Sequence, residues 1–295
     1  MIDPLPRVTA VLSRATGRIA DVPIPRPLRR PLLGPIAGVL GMDLDEAARP
    51  LSAFRTLDSL FVRALRPGAR AWPAEPGIPA SPVDGVVGER GAITGGRLLQ
   101  AKGREYTVAE LLDDVDLAER FGAGAFLTLY LAPRHYHRIH APVGGTVVCA
   151  RHVPGRLLPV NAPAVRAIDR LFPRNERVTC VIESDDRGGP LTGAVVVVAV
   201  GAFNVGRISA RFDEDLVTNR SGAGATTRLY SPPVRVERGG ELMAFHLGST
   251  VVVLFERPIP LAPVMEPGRE VRVGEALVAG RGEARIESGR RAELP

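Results

Sequence analysis

Seven short apolar runs of strand type follow one another between residues 83 and 255, at 83–87, 125–131, 145–149, 178–183, 194–200, 234–236 and 251–255. Runs this short, rich in valine and set apart by Gly, Pro, Asp and Asn, read as strands joined by turns rather than as helices. The four valines 195–198 predict a fully buried strand. The clearest helical pattern in this part of the chain is 108–117. With 32 glycines and 27 prolines in 295 residues, turns are plentiful and long helices are disfavoured. The expectation is an α+β fold that is mainly β, with a barrel- or sandwich-like core. A chain of this length can bury a large core, as one domain or two.

The first 66 residues read differently. Leu5, Val8, Val11, Leu12, Ala15 and Ile19 fall at helical spacing, and after a Pro-rich break at 22–27 a second apolar patch comprises Leu32, Leu33, Ile36, Ala37, Val39 and Leu40. Short helices are expected at 43–48 and 57–65, and the Pro-, Ala- and Gly-rich stretch 66–82 reads as a linker. This divides the chain into a helical region, 1–66, and a β-rich core, 67–295. Residues 1–41 carry six arginines against two aspartates, a net charge of +4. An amphipathic basic segment of this kind suits an anionic membrane surface; the alternative is a helical pair packed on the protein's own core. Arg7, Arg14 and Arg18 interrupt any signal-peptide core, and the longest nearly uncharged stretch, 191–205, is too short to cross a bilayer as a helix. Cys149 and Cys180 have no metal-type spacing and read as buried thiols in a reducing compartment.

Three segments carry candidate chemistry. Gly248-Ser249 lies between two strand-type runs. A glycine peptide can take a strained turn that leaves its carbonyl open, with the Ser249 hydroxyl on the next residue, and this suits a backbone N→O acyl shift. Three of the five histidines, His135, His137 and His140, fall within six residues. Asp84-Gly85 supplies a carboxylate, and on its own it also reads as a hairpin turn. Asp, His and Ser are the parts that activate a hydroxyl. A serine hydrolase using Ser249, His140 and Asp84 is one alternative, although an α/β-hydrolase serine is followed by a helix and Ser249 by a strand. A zinc site is not expected. On a straight strand His135 and His137 share a face and His140 points the other way, and no zinc-type carboxylate pattern follows. Lys102 is the sole lysine, in what reads as a turn into a short helix, so a lysine-bound cofactor has one candidate anchor. His152 and His246 read as structural.

Taken together, Leu247-Gly248-Ser249-Thr250, Tyr136-His137-Arg138-Ile139-His140-Ala141-Pro142 and Asp84-Gly85 resemble the motifs of the phosphatidylserine decarboxylase proenzymes. The likeness also covers Phe54 to Arg63, Lys102-Gly103, Asn175-Glu176-Arg177 and Val200 to Gly206, and runs from about residue 50 to about residue 280. It implies self-cleavage between Gly248 and Ser249 into chains 1–248 and 249–295 that stay associated. Ser249 would become a covalent pyruvoyl cofactor. The resemblance assigns His140 as base and Asp84 as its orienter for cleavage, with His137 serving decarboxylation. The implied partners are phosphatidylserine and an anionic membrane surface, with peripheral placement on the cytoplasmic side of the cell membrane. A homodimer is compatible with it; no nucleic acid and no metal are expected. A homologue that binds lipid without processing is the remaining alternative, and the presence of Asp84, His140 and Ser249 argues against it.

Overall fold

The computed structural model describes residues 17–75, 77–187, 191–203, 207–219, 224–246, 249–262 and 265–278. The strands are β1 (Gly85–Ala92), β2 (Arg97–Ala101), β3 (Arg104–Thr107), β4 (Ala125–Leu131), β5 (Arg138–His140), β6 (Gly145–Val153), β7 (Arg177–Ser184), β8 (Ala194–Val200), β9 (Ile208–Ala210), β10 (Thr226–Val236), β11 (Glu241–Phe245), β12 (Ser249–Phe255) and β13 (Glu270–Val271). Eight of them form one antiparallel sheet in the order β10-β6-β7-β8-β12-β4-β1-β13. The mainly β, α+β expectation is met. The large sheet is open rather than closed into a barrel: β10 and the two-residue β13 are its edges and do not pair with each other. A second sheet, β5-β11-β9, and the hairpin β2-β3 complete the β structure.

Every residue of β8 and β12 is buried, so the middle of the large sheet is covered on both faces. That is why their sequences are continuous rather than alternating in hydrophobicity. The same core includes Tyr106, Leu111, Leu112, Phe121 and Phe172 from the hairpin and short helices, and Ile139, Leu242, Met243 and Phe245 from the second sheet. The segment Asn175-Glu176-Arg177 is scaffolding within it. Arg177 donates to four backbone carbonyls, those of Glu110, Leu111, Pro173 and Asn175, while the Asn175 amide donates to Leu158 and Gly201.

The N-terminal part has its own smaller core of Leu33, Ala37, Met42, Ala47, Phe54, Leu60 and Phe61. Its main helix, α1 (Arg26–Leu40), starts with a proline at its first turn and ends on Gly41 in the left-handed region, φ 69°. A five-residue helix, α2 (Leu57–Phe61), is capped by Thr56, whose hydroxyl accepts from the Ser59 N–H while Ser59 returns the bond. The expected helix at 43–48 is instead a turn and a single bridge, Ala47 to Leu65. The 108–117 pattern resolves into two short helices, Val108–Leu112 and Val115–Arg120, broken where Asp113 takes φ 54°. Residues 1–16 and the tail from 279 lie outside the described residues, so the helical spacing of Leu5 to Ala15 is not tested.

Candidate active site

The pairing of the two sheets builds the site. Ser249 is the first residue of β12 and stands opposite Leu131, the last residue of β4. On the other side of β4, Val86 stands opposite Tyr130 and Val87 opposite Leu129, so the same register brings Gly85 opposite Leu131. Ser249 and the start of β1 therefore lie at one end of the sheet, two strand spacings or about 10 Å apart. From that end the chain leaves β4 for β5, and β11 arrives for β12. The Phe245 N–H donates to the His137 carbonyl (2.9 Å), so His137 lies against the end of β11, four residues before Ser249, in the seam between the two sheets.

Ser249 is fully buried and its Oγ has no hydrogen-bond partner among the described residues. His137 is fully buried as well. Its Nδ1–H donates to the His135 carbonyl (2.8 Å), which leaves Nε2 as a bare acceptor, also without a partner. The Phe61 ring from α2 meets the imidazole edge-on at 5.5 Å. Burial, aided by the nearby Arg63 charge, pushes the His137 pKa down to about 3, so the ring is neutral. The seam thus holds a hydroxyl donor without an acceptor and an imidazole acceptor without a donor. Tyr106, Thr128, Thr179 and Thr250 also carry buried hydroxyls without a partner among the described residues, so Ser249 and His137 are set apart by the motifs they belong to rather than by this property.

Asp84 is buried at the entry to β1. Arg70 grips its carboxylate with both ends of the guanidinium (3.2 and 2.6 Å), and the Val273 N–H donates to Oδ1 (2.7 Å). Arg70 also pairs with Glu46 at 2.8 Å. Burial alone would lower the Arg70 pKa, and the two carboxylates more than reverse this and raise it. Asp84-Gly85 is not a hairpin turn. A Cβ on Gly85 would come within 2.8 Å of the Tyr130 carbonyl oxygen, so the glycine lets β1 lie against β4.

His140 closes β5 opposite Glu241. Its Nδ1–H donates to the Gly239 carbonyl (2.7 Å), and Nε2 accepts from the Tyr136 hydroxyl (2.9 Å). Burial lowers its pKa, opposed by the Gly239 bond and by the charges of Glu241 and Asp84. Its backbone N–H donates to Pro82 (2.8 Å), which sets it beside the loop that carries Asp84. Asp84 and His140 are neighbours acting through space rather than hydrogen-bonded partners. They line adjoining cavities of about 360 and 310 Å³, and Arg70 lines both. The structure therefore brings Asp84 and His140 to one corner, and His137 and Ser249 to one seam, without joining all four in a single relay.

The chain matches the family model for phosphatidylserine decarboxylase over residues 57–279. It is 48% identical over 270 residues to the phosphatidylserine decarboxylase proenzyme of Anaeromyxobacter sp. (strain K), covering 90% of this chain and 93% of that one. It is 44% identical over 273 residues to the proenzyme of Halorhodospira halophila, covering 91% and 89%. The proenzyme of Myxococcus xanthus is 40% identical over 247 residues, covering 84% and 85%. The chain belongs to the phosphatidylserine decarboxylase family.

Membership in the decarboxylase family gives the four residues a common context and leaves several partners that the sequence did not announce. Arg70 lies in the stretch read as a linker, and only the folded chain shows that it holds Asp84. Tyr136 lay inside a recognised motif but had no role until its hydroxyl was seen on His140. His135 accepts from the Ala132 N–H through Nδ1 (3.0 Å) and shapes the turn that precedes His137. Lys102 is an exposed residue in the β2-β3 turn at φ 47°, and the expected helix after it is β3. His152 pairs with Glu176 inside the core. Gly248 lies outside the described residues.

Proposed function

We propose that this chain is a self-processing carboxy-lyase that converts phosphatidylserine to phosphatidylethanolamine and carbon dioxide. The observation that carries the reading is the Ser249 hydroxyl: buried, unpartnered, and at the first residue of a strand in a chain of this family. In the proposed processing, Ser249 Oγ attacks the Gly248 carbonyl carbon, the amide C–N bond breaks, and its nitrogen takes up a proton. The result is an ester between the two parts. Loss of the Ser249 α-proton and cleavage of its Cβ–O bond then release residues 1–248 as a carboxylate and leave dehydroalanine. Hydrolysis through the imine tautomer releases ammonia and leaves a pyruvoyl group at residue 249. His140 removes the hydroxyl proton, and Asp84 favours the charged imidazolium. β12 lies between β8 and β4, so the 249–295 chain stays bound through the sheet's centre after cleavage.

A buried strand terminus with a free hydroxyl fits the origin of such a group. When formed, it supplies an electron sink for the pair left behind as carbon dioxide departs. His137 lines the same seam. Its bare Nε2, unprotonated in the folded protein, suits it to accept a hydrogen bond from the substrate's ammonium group, and the Phe61 ring packs against the imidazole. Peripheral membrane contact through the N-terminal region belongs to the same reading. A specific observation favours a second assignment of the processing base: the free lone pair belongs to His137, whereas both His140 nitrogens are engaged.

The intact mass of purified protein tests the reading. Wild type yields two chains, the smaller with a blocked N-terminus, and Ser249→Ala remains full length and inactive. An uncut wild type that decarboxylates phosphatidylserine overturns it. His140→Ala that stays uncut, beside His137→Ala that cuts but decarboxylates poorly, supports the first assignment of the base; the reverse pattern supports the second.

A further inference from the structure

Arg63 lies two residues beyond α2 and is only 3% exposed. Its Nη2 donates to the carbonyls of Arg134 (3.3 Å) and His135 (3.5 Å). Its Nε and Nη1 are buried without a partner, so no carboxylate among the described residues hydrogen-bonds to the guanidinium. A buried charge left this bare is costly and calls for a reason. Asp84 is the first of the carboxylates that ease the burial, but Arg70 already grips it.

The His135 carbonyl links Arg63 to the candidate site. It accepts from Arg63 and also from His137 Nδ1–H (2.8 Å). A carbonyl can only accept, so this bond keeps the His137 proton on Nδ1; without it both neutral tautomers are open to the ring. The turn that carries the carbonyl is tied at its start, where His135 N–H donates to the Ala132 carbonyl and Ala132 N–H to His135 Nδ1 (3.0 Å each). Arg63 closes it from the N-terminal side. Alongside, Arg138 Nε donates to the Val62 carbonyl (2.9 Å) and Phe61 meets His137 edge-on, so residues 61–63 are docked along 134–138. The groups that face the imidazole are few. α2 presents Phe61, and β11 meets His137 through the Phe245 backbone. Arg138, next in sequence, is paired with Glu241 (2.6 Å), and the His135 ring lies 3.8 Å from Glu270. Arg63 is the cation beside the ring that no such partner neutralises.

We infer that Arg63 is a positioning residue for His137: it holds the 134–135 turn so that the imidazole proton stays on Nδ1, and its bare charge keeps a second proton off Nε2. Its effect on decarboxylation rests on the role proposed above for His137, and makes that step depend on a docked N-terminal region. Donor and charge can be separated, because a glutamine keeps the donor alone and a lysine keeps both.

The first measurement is nitrogen NMR of the histidine rings in full-length, uncut Ser249→Ala protein, with the His137 signal assigned by its loss in His137→Asn. With Arg63 present, the ring is expected as a single Nδ1–H tautomer that stays neutral to below about pH 5. Arg63→Met is expected to show both tautomers and to take up the second proton at least about one pH unit higher. Arg63→Gln should keep the tautomer but share the raised titration, and Arg63→Lys should match the parent in both. The Gln and Lys variants decide the matter if Arg63→Met fails to fold. An unmoved titration in folded Arg63→Gln overturns the inference, and so does a titration in Arg63→Lys as high as in Arg63→Gln. The second measurement is decarboxylation at pH 7 by protein with Ser249 intact, on short-chain phosphatidylserine in detergent. Arg63→Met is expected to lose ten-fold or more in kcat/KM, and Arg63→Gln and Arg63→Lys less than three-fold. Equal activity in all of them beside an altered ring overturns the role given to His137 in the reaction, whereas an unaltered ring overturns the placing of His137 by Arg63 whatever the activity.

Discussion

A neutral imidazole sealed among apolar groups makes stability depend on pH in a definite direction. His137 is fully buried, and its folded pKa, about 3, lies below the unfolded value of about 6.5. The unfolded chain therefore binds the proton first. The contribution of the neutral ring to stability is complete above pH 6.5 and is lost as the pH falls from there toward 3. At pH 5 the loss from this residue is about 2 kcal/mol. In an uncut Ser249→Ala background, the melting temperature between pH 7.5 and 5 should fall more steeply with His137 present than in His137→Asn. Equal slopes would mean that the ring is not sealed from protons. At this scale the candidate residues themselves were legible, because Asp84, His137, His140 and Ser249 stand in short motifs. Their partners were not. Arg70 lies 14 residues before Asp84, and Val273 lies 189 residues after it; neither sits in a local pattern that separates it from any other arginine or valine.

Elements were legible to the degree that both of their faces are buried. The runs 125–131 and 194–200 coincide with β4 and β8, because a strand covered on both sides must be apolar throughout. The strands of the second sheet, which position the histidines, were not. β5 and β9 have three residues each, and β11 has five, too short for a pattern to show, and each mixes polar residues with apolar ones. The hairpin β2-β3 was likewise missed, its Arg, Gln and Glu obscuring the pattern. Gly85 shows how an element can serve the site. Because a Cβ there would meet the Tyr130 carbonyl, Gly85→Ala must push β1 away from β4 and carry Asp84 with it. A backbone shift of this kind costs about 1–3 kcal/mol. Gly85→Ala should lower the unfolding free energy by that amount and slow the appearance of the two chains. A variant with unchanged stability and unchanged cleavage would show that the two strands have room to spare.

Across the whole molecule, the N-terminal region presents two apolar faces that point in different directions. One side of α1 closes the small core through Leu33 and Ala37. The other leaves Leu28, Leu32, Ile36 and Val39 exposed, with Val39 at 89%, and Ile19 and Val22 are exposed nearby. Spacings of four, four and three residues put the first four on a single stripe of the helix, and Arg26 and Arg30 are exposed beside it. Leu33, part of the apolar patch that the sequence offered to a membrane surface, instead points into the protein; the sequence showed that the segment was amphipathic but could not say which of two apolar stripes faced inward. Among the described residues no helix is long and apolar enough to cross a membrane. Burying the exposed part of Leu32 and Val39 in a lipid interface is worth about 1–2 kcal/mol each, and the arginines add about 1 kcal/mol apiece at low salt, where screening is weak. Leu32→Glu with Val39→Glu should therefore weaken binding to anionic vesicles at least ten-fold, in high salt as well as low. Replacing Arg26 and Arg30 with Gln should weaken it at low salt alone. Neither change touches the small core, so both proteins should still process into two chains and keep most of their activity on short-chain substrate dispersed in detergent. Co-sedimentation of the Leu32/Val39 variant at the wild-type level would place the lipid contact elsewhere on the molecule.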